Sequence, residues 1–293
     1  MLNLNALFEK FLHDRLYQKN ISPKTESYYR DTWNAYRRYT GSSQIDQARL
    51  NDWIVKMRQN GVRPVSCNTY ISGLNAFCNW LFQNHHLPER LRLSKFKVRE
   101  TRRKTISEES LRKIVHYQPR NPIELRIHTL ILFLIDTGAR INEAITLKRS
   151  NIDLNSRLMK IMGKGQKERV VPMSLVLRTI LLRYLEQHDC ELVFCSRDGE
   201  KMSYNNLLRD YARLCDLLEI ERKGAFHALR HSFAYNYARS FGKLSGDSKN
   251  SLFHLQKQLG HSDLSTTRIY VDLQPEDLLE VHDQTSLLTK LST

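Results

Sequence analysis

The sequence predicts a mainly α-helical protein with a small β-sheet: an N-terminal helical bundle followed by an α+β unit. Three observations predict it. Apolar residues recur at helical spacing through most of residues 1–88. Two short runs at 157–161 and 169–171 flank a glycine-bearing turn at 163–165, as in a β-hairpin. The charge is also divided unevenly. Residues 1–105 hold 19 Lys and Arg against 8 Asp and Glu, whereas residues 106–293 hold 27 against 23. A chain of 293 residues, 41% hydrophobic, has material for two domains. The expected layout is a bundle over 1–88, a basic linker over 89–105 and a larger domain over 106–293.

The elements follow in order. Leu4, Leu7, Phe8, Phe11, Leu12 and Leu16 mark a first helix. Ser22 as cap and Pro23 at the first helical position open a second, which carries Tyr28, Tyr29, Trp33 and Tyr36 and ends at Thr40-Gly41. A third covers roughly 47–59 and stops at Asn60-Gly61. Pro64 opens a fourth, with Tyr70, Leu74, Phe77, Cys78, Leu81 and Phe82. The aromatics keep to one helix face, so they read as core rather than as base-stacking platforms. Pro88 then begins a poorly periodic segment. From Arg90 to Lys104 the cations Arg90, Arg92, Lys95, Lys97, Arg99, Arg102, Arg103 and Lys104 oppose only Glu100, which suits a strap lying on phosphates.

Ser107 caps the next helix, and Glu108 and Glu109 favour its positive end. Residues 123–136 form an apolar, buried helix ending at Gly138. After the hairpin, helices are expected at 174–187, 204–218, 228–240, 252–259 and 275–290. The polar, glycine-bearing stretch 242–250 reads as a surface loop.

Composition narrows the function. A net charge of +15 and a pI of about 9.7 call for a polyanionic partner, most commonly nucleic acid. No apolar run is long enough to span a membrane, and the chain reads as cytosolic. The five cysteines are odd in number, widely spaced and preceded by no signal peptide, which argues against a disulfide framework. Cys190 and Cys195 lack Cys-x-x-Cys spacing and read as apolar fillers, so no metal is expected. Gly163-Lys164-Gly165 lacks the pattern of a nucleotide-binding loop, and no carboxylate cluster fits a two-metal nuclease. No cofactor is called for.

What remains is a set of cations and one phenol: Arg140, Lys164, His227, Arg230, His261 and Tyr270. Breaking a phosphodiester without a metal requires this chemistry. The phosphate is anionic, and its non-bridging oxygens gain charge in the transition state. Arginine suits the task because its planar fork meets two oxygens and never loses its charge. Glu143, three residues after Arg140, is placed to orient it. His227 and Arg230 share a helix face, with His231 close by. Lys164 in a mobile turn suits a general acid. Lys167 and Arg169 are its neighbours and competitors, expected on the DNA backbone.

The stretches Thr137-Gly138-Ala139-Arg140-Ile141-Asn142-Glu143, Gly163-Lys164-Gly165-Gln166-Lys167-Glu168-Arg169, His227-Ala228-Leu229-Arg230-His231 and Leu259-Gly260-His261 through Tyr270 carry these groups in a fixed order. That order resembles the tyrosine recombinase (lambda integrase) family, especially its Xer-like branch. The likeness covers essentially the whole chain, more weakly over the first hundred residues. It implies a SAM-like core-binding bundle and a tyrosine recombinase catalytic domain. Tyr270 would be the nucleophile, His227 the base that takes its proton, and His261 a donor to a non-bridging oxygen. The reaction implied is site-specific recombination of double-stranded DNA through a 3′-phosphotyrosine intermediate and a Holliday junction. A homotetramer would act on two sites, in a cytoplasmic, nucleoid-associated setting. Dimer resolution, phage integration, transposition and integron movement all fit, with or without a partner recombinase or accessory protein. The spacing from His227 to His261 exceeds the usual Xer-like spacing by several residues. A type IB topoisomerase shares the nucleophile and the cations, and a DNA-binding accessory protein with an idle fold is the non-enzymatic alternative. The acidic, leucine-bearing tail at 275–293 suggests docking on a neighbouring protomer, or else on its own domain.

Overall fold

Side-chain caps set where most of the helices begin. The computed structural model describes residues 3–41, 44–98, 105–163, 167–222, 224–245 and 255–260, without the side chains of 238–245. The chain divides into two compact units, Met1–Thr101 and Arg102–Thr293.

The first unit holds α1 (Leu4–Tyr17), α2 (Pro23–Thr40), α3 (Gln47–Gln59) and α4 (Pro64–Gln83). Ser22 accepts the Thr25 N–H at the start of α2, and Gly41 closes that helix in a left-handed conformation. Asp46 caps α3 through the Arg49 N–H. The apolar stripes meet in a core of interlocked rings. Phe8 stacks on Trp33 at 5.3 Å between centroids, and Phe77 meets Phe8 edge-on at 5.2 Å. Phe8, Phe11, Trp33, Tyr36, Trp53 and Phe77 are buried in this core, whereas Tyr28, Tyr29 and Tyr70 are half-buried at its edge and Phe82, expected on the core face of α4, is exposed at the helix end.

The expected strap is partly built into this unit. Leu91 and Leu93 are buried in the bundle's core, and Phe96 packs against it. Three side-chain amides hold the extended backbone here. Gln47 exchanges hydrogen bonds with the Arg92 backbone, Asn75 with that of Leu93 and Asn68 with that of Phe96. An amide can pair with both groups of a peptide at once, as a neighbouring strand would.

In the second unit, α5 (Glu108–His116) leads to α6 (Pro122–Thr137), the central helix on which α8 (Leu175–Leu185), α9 (Tyr204–Leu217) and α10 (Ala225–Ser245) pack. α6 buries Ile127, Leu130, Ile131, Phe133 and Leu134. The short α7 (Ile141–Ala144) follows at once. A three-stranded antiparallel sheet stands beside it in the order β1 (Ile152–Asp153), β2 (Leu158–Met162), β3 (Glu168–Pro172). In β2, Met159 and Ile161 face inward while Leu158 and Met162 face out. Met159 pairs with Val171 and Ile161 with Arg169, so Arg169 shares the inward face of its strand with Val171.

α10 runs to Ser245, so Gly242–Ser245, expected as loop, continues the helix. One interior glycine costs only about 1 kcal/mol against alanine, and Lys243 and Leu244 are good helix formers. The rest of that stretch and the expected tail helix at 275–290 lie outside the described residues. The short helix α11, residues 255–259, ends at Gly260 with φ +63°. No helix among the described residues is long and apolar enough to cross a membrane.

Candidate active site

Gly138 is the first fixed point. It closes α6 with φ +64°, and its N–H donates to the Leu134 carbonyl at 3.0 Å. A Cβ at this position would lie 2.2 Å from the Phe233 ring of α10. Glycine is therefore required twice, for the left-handed turn and for the close approach of α10.

That turn delivers Arg140 to the start of α7. Its backbone N–H donates to Glu143 Oε2 at 2.7 Å, and its Nη1 to Oε1 at 2.9 Å. The same Nη1 reaches the Leu259 carbonyl at 3.4 Å. Arg230, on α10, is buried; its Nη1 donates to the Gly138 carbonyl and its Nη2 to the Leu259 carbonyl at 2.7 Å. A buried guanidinium is tolerable only with such partners. Residues far apart in sequence, Arg140 and Arg230, thus share one acceptor two positions before His261. Among the described residues, the Nε and Nη2 atoms of Arg140 have no partner, and a third of its side chain is exposed. Those two atoms share one edge of the guanidinium, the fork that meets two phosphate oxygens.

Glu143 is the second fixed point, and it is buried. Burial pushes its carboxyl up, but the Arg169 guanidinium and then the Arg140 groups outweigh burial and hold it below the usual carboxylate range. It is therefore ionised at neutral pH. Arg169, expected on the DNA backbone, instead forms a fork on Glu143 with distances of 3.0 and 2.8 Å, and its Nε donates to the Gln258 carbonyl at 2.9 Å. Strand alternation with Val171 was the sequence signal for its inward side chain.

His227 is exposed, one turn before Arg230 on α10, and His231 is half-buried. Lys167 is exposed, and its carbonyl closes the hairpin by accepting the Gly163 N–H at 2.8 Å. Arg90, Arg92, Lys95 and Lys97 all point to solvent from the docked strap. Lys164, His261 and Tyr270 lie outside the described residues, as do Arg99, Arg102, Arg103 and Lys104.

Cys190 and Cys195, read as separate fillers, come together with His188, each offering one ligand atom within 4.8 Å of the others. Sequence spacing could not show this. The Nδ1 of His188 already accepts the Cys190 N–H at 3.3 Å. Burial and the neighbouring Cys190 push the Cys195 thiol up to about 11, so it is a protonated thiol at neutral pH rather than a ready thiolate ligand.

Comparison with known proteins adds three findings. The sequence model of the phage integrase family matches residues 104–277, and that of the phage integrase N-terminal SAM-like domain matches residues 8–85. Among curated proteins, the tyrosine recombinase XerD of Listeria monocytogenes is 25% identical over 96% of this chain and 98% of its own length. The tyrosine recombinase XerC of Escherichia coli O157:H7 is 26% identical over 97% of each chain. Among solved structures, a XerH site-specific recombinase bound to palindromic difH substrate in a post-cleavage complex matches with a TM-score of 0.72. It covers 97% of this chain and 85% of that one at 20% identity. A lambda integrase tetramer bound to a Holliday junction gives 0.70 over 90% of this chain and 78% of that one at 19% identity. The two structures support the fold.

Proposed function

The chain belongs to the phage integrase family, the tyrosine recombinases that break and rejoin DNA, and from that premise we propose how its residues divide the work. Arg140 and Arg230 grip the non-bridging oxygens of the scissile phosphate. The Tyr270 oxygen attacks the phosphorus and His227 takes its proton. Lys164 protonates the departing 5′ oxygen, and His261 donates a further hydrogen bond to the phosphate. The product is a 3′-phosphotyrosine ester and a free 5′ hydroxyl. The ester keeps the energy of the broken bond, so religation needs no nucleotide and no cofactor. Glu143 orients Arg140.

The observation that carries this reading is the meeting of Arg140 and Arg230 on the Leu259 carbonyl. Among the described residues Arg140 keeps a free edge there, open to a phosphate, and His261 follows Leu259 by two positions in the sequence. The larger assembly is proposed by likeness: four protomers on two duplex sites, exchanging strands through a Holliday junction. The lambda integrase tetramer on such a junction is the relative that supports it. The basic strap, the tail at 275–293 as a docking element and a nucleoid setting belong to the same proposal.

The test is covalent capture. Incubation with a pool of nicked duplexes of randomised sequence should leave wild-type protein covalently joined to the duplexes it selects. Tyr270→Phe should bind those duplexes with near-normal affinity and form no adduct. An adduct surviving in Tyr270→Phe removes Tyr270 from the nucleophile's role, and Tyr235 and Tyr237 are the next to examine.

A further inference from the structure

We propose that Arg169 is a positioning residue: its guanidinium joins the three chain segments that carry Arg140, Lys164 and His261, so that acid and nucleophile segment are set by one side chain. This deepens the recombinase reading and rests on it.

The geometry is specific. Both terminal nitrogens of Arg169 go to Glu143, at 3.0 and 2.8 Å, and Glu143 in turn holds Arg140 through its backbone N–H and its Nη1. The Nε goes to the Gln258 carbonyl at 2.9 Å, at the end of α11. The side chain is 11% exposed, so this donor set is largely shielded from water. Two glycines bracket it. A Cβ on Gly260, the residue before His261, would lie 3.2 Å from Arg169 Cδ and Nη1. A Cβ on Gly163, the residue before Lys164, would lie 3.4 Å from Nη1 and 3.7 Å from Glu143 Oε1. A side chain at either position just before Lys164 or His261 would therefore meet the same arginine, which is itself anchored to the partner of Arg140. Gly260 also has φ +63°, which a side chain would strain, so its backbone can turn tightly over the guanidinium.

Arginine is the residue for such a joint. Its rigid fork satisfies both oxygens of one carboxylate while Nε bonds a carbonyl elsewhere. Lysine offers one mobile point charge in place of that planar set. A misplacement of about 1 Å can lower a rate by ~10²-fold without touching substrate affinity. Arg169 would then act on rate through geometry. A phosphate-contacting arginine would act on affinity and on its salt dependence.

The experiment uses the full chain and the nicked duplexes captured by the wild type. Arg169→Gln should leave the dissociation constant within about twofold and its salt slope unchanged, while adduct formation at saturating DNA falls by ~10²-fold. Arg169→Lys, which keeps the charge, should fold like the wild type and lose rate by roughly tenfold. A duplex with sulfur at the bridging 5′ position, whose leaving group needs little protonation, should recover part of the loss in Arg169→Gln. Glu143→Gln combined with Arg169→Gln should be no slower than the slower single variant, because both break one joint. Three results overturn the proposal: weakened binding with an unchanged saturated rate, which makes Arg169 a phosphate contact; losses that multiply in the double variant; and no rate loss in well-folded Arg169→Lys and Arg169→Gln alike. A wild-type protein that captures no duplex overturns the recombinase reading, and this proposal with it.

Discussion

The two units use positive charge in opposite ways. In the first, the cations Arg90, Arg92, Lys95 and Lys97 stand in solvent over a dry core of stacked rings. In the second, Arg230 is buried and Arg169 nearly so, and their guanidinium groups are held in place by carbonyls and by Glu143 inside the unit. Charge in water produces a field that any polyanion feels and salt screens. Charge held by fixed acceptors away from water acts at one place and is screened far less. The first arrangement suits a grip on any duplex, and the second suits the stabilisation of one phosphate.

The sharpest way to break this contrast is to swap the two kinds of loss. Arg230→Ala should lower adduct formation at saturating DNA by ~10²–10³-fold or more, the size of one lost transition-state donor. It should also destabilise the second unit, because the Gly138 and Leu259 carbonyls lose a buried donor. Replacing Arg90, Arg92, Lys95 and Lys97 together by alanine should do the reverse. The saturated rate should stay near wild type, while the salt slope of binding flattens by about 0.9 for each phosphate lost, up to ~3.6. An unchanged slope would mean that these four side chains do not touch DNA.

A smaller effect separates backbone from charge. Gly138→Ala adds only a methyl group, yet it strains a left-handed residue and drives Cβ into the Phe233 ring. The left-handed strain alone costs roughly 1–3 kcal/mol. The clash pushes α10 away from the turn that carries Arg140. Rate and thermal midpoint should therefore fall together, whereas Gly41→Ala, with nothing within 4 Å of the added Cβ, should show the strain alone. Equal losses at the two glycines would mean that the approach of α10 matters little.

Much of this was legible in the sequence because local rules decide it. The caps at Ser22 and Ser107, the prolines at the heads of α2 and α4 and the glycine stops at Gly41 and Gly138 set boundaries within a residue or two. The hairpin followed from two short runs flanking a glycine-bearing turn. What escaped depends on contacts distant in sequence. Leu91 and Leu93 looked aperiodic inside a run of cations, because a strap held by side-chain amides has no strand partner to reveal its alternation. Arg169 looked like one more basic residue. Its inward direction follows from β3, but its partners lie 26 and 89 residues away. Counting charges overestimated the cations available to DNA, because net charge does not distinguish an arginine in water from one already bound to a carboxylate. His188 joined Cys190 and Cys195 through a loop closure that no spacing rule describes.

The mildest perturbation is pH, and it too should divide the units. His128 is buried against Tyr117, and its Nε2–H donates to the Ile114 carbonyl at 2.8 Å. Burial lowers its pKa below the ordinary 6.5, and the carbonyl offsets only part of that. His188 is lowered as well, by burial and by Arg149. A histidine depressed in the folded state favours folding fully above its unfolded value. As pH drops through 6.5 the unfolded chain takes up the proton first, so stability is lost until the folded pKa is passed. Both groups belong to the second unit. The three tryptophans, Trp33, Trp53 and Trp80, all belong to the first and report on it alone. Between pH 7 and 5.5 the protection of the α6 amides, after correction for the intrinsic pH dependence of exchange, should therefore fall, while the urea midpoint read by tryptophan fluorescence stays level. His128→Gln, which stays neutral and can still donate to Ile114, should remove part of that loss of protection. If the tryptophan midpoint falls in step with α6 protection, the acid effect is not centred on these histidines and the division between the units fails at this point.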